Sequence, residues 1–168
     1  MEYAADFQYF KQPGGVIVLK ELAFIPLDCD SEPIVLLFKS PYPWSRLNEK
    51  YKRENSILKS KIHGISWDSG YIEYNQVGYY IRDTLKDADK VYVIDNCKKE
   101  YFDRFKLNVI DITNLGYQTI DVAKVVHFCS NHDFKCKTCC AAQTVKLMKK
   151  FLQAQKEWED ISMEWEYS

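Results

Sequence analysis

The sequence predicts an α/β fold: a mixed β-sheet flanked by helices on both faces. Three observations point to it. Two β-rich segments, Val16–Ile25 and Pro33–Lys39, lie close together after a Pro13-Gly14-Gly15 turn. Two continuous apolar runs, Val91–Asp95 and Asn108–Ile112, read as buried strands and alternate with helical segments. A closing helix from near Cys139 to about Trp158 carries Ala141, Val145, Met148 and Leu152 on one core-facing stripe.

The elements between follow from local signals. Asp28, Asp30 and Ser31 mark the turn joining the first two strands. The prolines of SPYPW end the second strand, and Ser45 is the expected N-cap of a helix to about Ile62, closed by His63-Gly64. Its apolar face, through Leu47, Tyr51, Ile57, Leu58 and Ile62, is imperfect. The turn-rich, aromatic stretch Trp67–Tyr74 is a candidate edge strand. Val77, Tyr80, Ile81 and Leu85 define a second helix over Val77–Ala88, and Lys98–Phe105 reads as a third.

At 168 residues the chain has the length of a single domain, with a core expected over about 14–158 and an acidic tail over 157–168. Its 46% hydrophobic and 15% aromatic content excludes disorder. No run of 18 apolar residues marks a membrane span, and MEYAADFQYFKQPGG lacks the pattern of a secretory signal. A cytoplasmic or nuclear protein is expected, not a secreted one, with its six cysteines reduced or metal-bound.

Net charge is −1, which argues against bulk capture of nucleic acid, but the charge is segregated. Between Ser45 and His63 six cations face two acids, and six lysines lie between Lys135 and Lys156. Either these are solvated helix faces or they track a phosphate backbone. On the second reading Lys50, Lys52, Arg53, Lys59, Lys61, Lys146, Lys149 and Lys150 are the RNA-binding candidates, with Tyr42, Trp44, Trp67 and Tyr71 as possible stacking platforms. Core packing is the default for those aromatics. Cys29 and Cys97 read as incidental free thiols, and His63 as a helix-end residue meeting the dipole.

The stretch FCSNHDFKCKTCCAAQTV holds Cys129, His132, Cys136, Cys139 and Cys140 within twelve residues, a ligand density suited to zinc. Two tetrahedral sets are open. One is local: Cys129, His132, Cys136 and Cys139. The other joins Cys129, His132 and Cys140 to Glu21, a carboxylate inside the apolar segment VIVLKELAFI, where a buried charge needs a counter-ion or a metal. The bland alternative is that Lys20 and Glu21 straddle the strand and one faces solvent.

The VIVLKE strand, the VYVIDNCKKEYF segment and the closing helix together resemble the RNase H-like fold of DEDD 3′–5′ exonucleases. Those enzymes place Asp-x-Glu on the first strand and a His or Tyr with an Asp on the last helix. Here Glu21 matches the Glu, while Leu19, Cys140 and Val145 stand at the other positions, so two-metal Mg²⁺ chemistry is not expected. The chain resembles a branch of that lineage that has lost those carboxylates, the Maelstrom domain, which carries a Glu-Cys-His-Cys zinc constellation. Glu21, then Cys129-Ser-Asn-His132, then Cys140-Ala141 fit that pattern, over roughly residues 14–155; Cys136 and Cys139 are additions to it.

The resemblance implies a structural Zn²⁺ held by Glu21, Cys129, His132 and Cys140, and no catalytic carboxylates. It implies RNA and silencing-pathway proteins as partners, in piRNA-type transposon silencing, with metal-independent endoribonuclease activity as a further expectation. The rival reading is a catalytically dead nuclease fold kept as a protein-interaction scaffold, of viral or mobile-element origin.

Overall fold

The computed structural model describes residues 1–117 and 140–166. Five strands form one mixed sheet: β1 (Glu2–Gln12), β2 (Val16–Pro26), β3 (Ile34–Leu37), β4 (Lys90–Val93) and β5 (Val109–Asp111). The helices are α1 (Glu49–Ile57), α2 (Val77–Thr84), α3 (Asn96–Asp103) and α4 (Ala141–Glu166). The sheet order is β3-β2-β1-β4-β5. β2 is antiparallel to β1 and β3, while β4 runs parallel to β1 and β5 parallel to β4. β2 is therefore the one strand that opposes the rest.

The central strand β1 is absent from the sequence expectation, which starts the core at residue 14. Ala4, Ala5 and Phe7 are fully buried within it. β1 turns into β2 through the expected Pro-Gly-Gly element, where Gly14 (φ +83°) and Gly15 (φ +71°) take left-handed conformations closed to most side chains. Val16–Pro26 is consequently the second strand, not the first.

Both sheet faces are covered. On one, Ala5, Phe7, Leu22, Phe24, Val91 and Val93 pack under α2 and α3 through Val77, Ile81, Tyr101 and Phe102. On the other, Ala4, Ala23, Ile25 and Tyr92 pack against α4 through the predicted stripe Ala141, Val145, Met148 and Leu152. Full burial of Val, Met and Leu side chains contributes roughly 1.5–3 kcal/mol each, which fixes α4 on the sheet. At the hairpin end of this same face Phe10 and Val18 meet Leu47 and Trp67, with Tyr51 and Leu58 of the α1 region against them.

α1 starts later than expected. Asn48, not Ser45, caps it by accepting the Tyr51 N–H at 3.1 Å, and Ser45 lies in a 3₁₀ turn, Trp44–Arg46. After Ile57 the chain continues as a π-helical turn, Leu58–His63, closed by left-handed Gly64. Asn55 ties α1 to β1 by accepting the Lys11 N–H at 2.8 Å and donating to the Lys11 carbonyl at 2.7 Å. Trp67–Tyr74 contributes only an isolated bridge, Ile72 to Phe38. α4 runs past Trp158, so the acidic segment continues a helix through Glu166. Among the described residues no helix is long and apolar enough to cross a membrane.

Candidate metal centre and nucleic-acid surface

A β-bulge decides how β2 presents its charges. Gln8 pairs with Glu21 and Tyr9 with Leu19, which leaves Lys20 as the extra residue. Both Lys20 and Glu21 are fully buried, so neither straddles into solvent as the bland sequence reading expected.

Glu21 lies at the N-terminus of α4. Its Oε1 accepts the Ala141 N–H at 3.0 Å, a carboxylate at the positive end of a helix dipole. Cys140, the residue just before that helix, is fully buried. Two of the four expected zinc ligands, 119 positions apart in the numbering from 21 to 140, thus meet at one corner of the fold. A carboxylate and a buried thiol are donors zinc accepts, and the chemistry of this pair fits the ion. Cys129 and His132, with Cys136 and Cys139 of the local alternative, lie outside the described residues. Among the described residues no group of three or more His, Cys, Asp or Glu is set to hold a metal.

The same sheet face holds polar groups the sequence reading missed. Asp6 and Gln8 alternate with Phe7 on β1, yet both are buried, at 2% and 5% exposure. Lys98 of α3 forms an ion pair with Asp6, and its Nζ lies 5.6 Å from the Phe7 ring centroid. Burial raises the Asp6 pKa, Lys98 opposes the rise, and nearby Glu21 adds to it. The signal in the sequence was the period-2 pattern of AADFQYF; nothing there marked the polar positions as inward-facing. Leu19 and Val145, standing where exonuclease carboxylates are expected, are core residues with no exposure.

Lys20 donates to Ser40 Oγ at 3.3 Å and to the carbonyls of Trp67 at 3.0 Å and Ser69 at 2.5 Å. These acceptors are neutral, so burial pulls its pKa down to about 8, with Asp68 partly opposing. A lowered folded-state pKa means the folded chain binds fewer protons, so stability rises as pH climbs from about 8 toward the ordinary lysine value. Relative to Lys20→Met, the wild type is expected to gain up to about 3 kcal/mol between pH 7.5 and 10.5, read from urea midpoints. Parallel pH profiles for the two proteins would show that Lys20 titrates as a hydrated lysine.

The basic candidates divide by their surroundings. Lys50, Arg53 and Lys61 of the α1 region and Lys150 of α4 are exposed. Lys52 pairs with Glu49 at 3.3 Å, Lys146 with Glu32 at 2.9 Å, and Lys149 donates to the Cys29 carbonyl at 2.5 Å. Lys59 is half-buried on the π-helical turn. All eight lie on elements covering one sheet face, the face that holds Glu21 and Cys140.

Of the aromatic candidates, Trp67 is buried and donates Nε1–H to the Tyr42 carbonyl at 2.9 Å, which makes it core. Tyr71 is exposed, with its hydroxyl donating to the Val35 carbonyl at 3.2 Å. His63 is no surface residue: its Nε2 meets the Tyr9 carbonyl at 3.1 Å and its Nδ1 accepts the Ile65 N–H at 3.0 Å. That pair of contacts defines a neutral ring with the proton on Nε2. Cys29 and Cys97 are exposed and unbridged.

Compared with known proteins, the chain matches no family model, no curated protein and no solved structure.

Proposed function

We propose that this is a zinc-stapled, RNase H-like domain of the Maelstrom type that binds RNA in small-RNA-guided silencing. The observation that carries the reading is the meeting of Glu21 and Cys140 at the start of α4, the two ends of the expected long-range ligand set. The β3-β2-β1-β4-β5 order, with β2 alone reversed, supports the RNase H-like arrangement. Cys129 and His132 would complete the site. A closed, four-ligand ion of this kind is structural and ties β2 to α4. The cations of α1 and α4, on one side of the sheet, would contact phosphates without reading bases.

Salt-dependent gel shifts with single-stranded RNA test the binding surface. Affinity is expected to fall steeply with salt, and Lys52→Glu/Arg53→Glu is expected to weaken binding at least about tenfold. No shift at low salt would remove RNA from the reading.

A second reading, the protein-interaction scaffold, has its own observation. Beyond the core, α4 exposes Trp158 (74%), Ile161 (48%) and Trp165 (78%) at helical spacing among five acidic residues. An apolar stripe on an acidic helix suits a basic-rimmed groove on a partner. Retained RNA affinity in Trp158→Ala/Trp165→Ala separates this surface from the lysine face.

A further inference from the structure

On the opposite sheet face the β1–β2 hairpin, α2 and the segment after α3 line an open, solvent-facing cavity of about 590 Å³. Arg82, Arg104 and Lys106 line it, and no acidic residue does. None of the three forms an ion pair among the described residues. Three cations facing one concavity repel one another, an arrangement that an anion relieves.

The guanidinium groups are held in place. Arg104 stacks 4.3 Å from the Tyr101 ring centroid and donates Nε–H to the Tyr101 carbonyl at 3.3 Å. Arg82 lies 5.9 Å from the Phe105 ring centroid and passes over Gly78, where a Cβ would lie 3.0 Å from a guanidinium nitrogen. Lys106, in a left-handed conformation (φ +57°), follows α3 in the turn leading to β5.

The remaining wall is aromatic and aliphatic, from Tyr74, Tyr101 and Phe105 to Val16, Ile17 and Val77. Forked guanidinium donors fit phosphate oxygens; Tyr101 is buried with Arg104 over its ring, so the partly buried rings of Tyr74 and Phe105 are the surface a planar base would meet. We propose that this cavity binds a nucleoside phosphate, its phosphate between Arg82 and Arg104 and its base against the aromatic wall. The inference is independent of the lysine face, which lies across the sheet. Two sources share this chemistry: a free nucleotide and the 5′-terminal nucleotide of an RNA strand.

Calorimetric titration tests it with AMP, adenosine, and short RNAs bearing a 5′-phosphate or a 5′-hydroxyl. AMP is expected to saturate, with adenosine at least about tenfold weaker, and Arg82→Gln and Arg104→Gln are each expected to weaken AMP about tenfold. Lys52→Glu/Arg53→Glu is expected to leave it unchanged. Both arginines are exposed, so their variants fold, which circular dichroism checks. Preference for the 5′-phosphorylated RNA over the 5′-hydroxyl RNA, lost in Arg104→Gln, assigns the site to a strand terminus; equal affinity for the two RNAs, with AMP binding intact, assigns it to a free nucleotide. Failure of AMP to saturate below roughly 10 mM, or unchanged affinity in Arg104→Gln, overturns the proposal.

Discussion

Glu21→Ala is expected to abolish zinc binding and leave the domain unfolded or aggregated at room temperature. The carboxylate contributes in two ways. Without metal it accepts the Ala141 N–H inside the core, and losing such a charge-assisted bond costs about 1.5–3 kcal/mol. With the proposed zinc in place it is one of four ligands, and structural zinc contributes on the order of 10 kcal/mol, comparable to a whole domain's stability. The wild type is expected to carry one zinc per chain by elemental analysis and to lose thermal stability on chelation. Glu21→Gln separates the two contributions, because the amide oxygen still accepts the Ala141 N–H while the anionic ligand is gone. It is expected to fold poorly and to bind zinc weakly. If Glu21→Ala retains its zinc while Cys136→Ser loses it, the local cysteine cluster holds the ion; a wild type without zinc removes the staple.

The parts of the fold that the sequence disclosed share one property: their side-chain pattern matches their burial. The stripe Ala141, Val145, Met148 and Leu152 is buried on the sheet, and the apolar runs around Val91–Val93 and Val109 are buried strands. β1 escaped notice because its alternation, Asp6 and Gln8 between Ala5, Phe7 and Tyr9, is that of a half-exposed strand or a polar leader. Inside, the polar set is buried and the apolar set packs on the other face. Lys20 was unreadable for a different reason. Strict alternation puts Lys20 and Glu21 on opposite faces of the strand, and the sequence does not show that both faces are covered or that a bulge opposite Gln8 makes Lys20 the extra residue.

Capping was ambiguous because Ser45 and Asn48 are both good N-cap residues. Leu47, 3% exposed beside Trp67, settles the choice, since the chain stays extended there to bury it before the helix begins. The acidic run after Lys156 repels itself, which made it look like a tail, but Glu and Met are strong helix formers and the helix continues. At the metal corner, Glu21 stood out as a lone charge among apolar residues, and Cys140 as the last thiol before a helical stripe. The basic cavity left no linear trace: Arg82, Arg104 and Lys106 come together only when α2 and the segment after α3 meet the β1–β2 hairpin.

Lys98→Ala is expected to destabilise the domain by about 3–5 kcal/mol at pH 7, because it strands Asp6 as an unpaired charge in a buried strand. Lys98→Met/Asp6→Leu is expected to recover most of that loss, since an apolar pair of similar size carries no desolvation cost. The pH dependence identifies the mechanism. Burial raises the Asp6 pKa in the folded state, so its stabilising contribution is complete below the ordinary aspartate value and is lost as pH rises through the raised one. Lys98 opposes that rise, and removing it moves the folded-state value further up. The deficit of Lys98→Ala should therefore shrink on going from pH 7 to pH 5, as Asp6 protonates in the variant, a change read directly from urea midpoints. Equal deficits at both pH values, with no recovery in the double variant, would mean that Lys98 acts through its stem on Phe7 and not through charge. If the deficit does shrink, the ammonium is what makes an ionised Asp6 tolerable beside Glu21. The buried face of β1 and β2 then works as two charge-compensated sites, one closed by a lysine from α3 and the other by the start of α4.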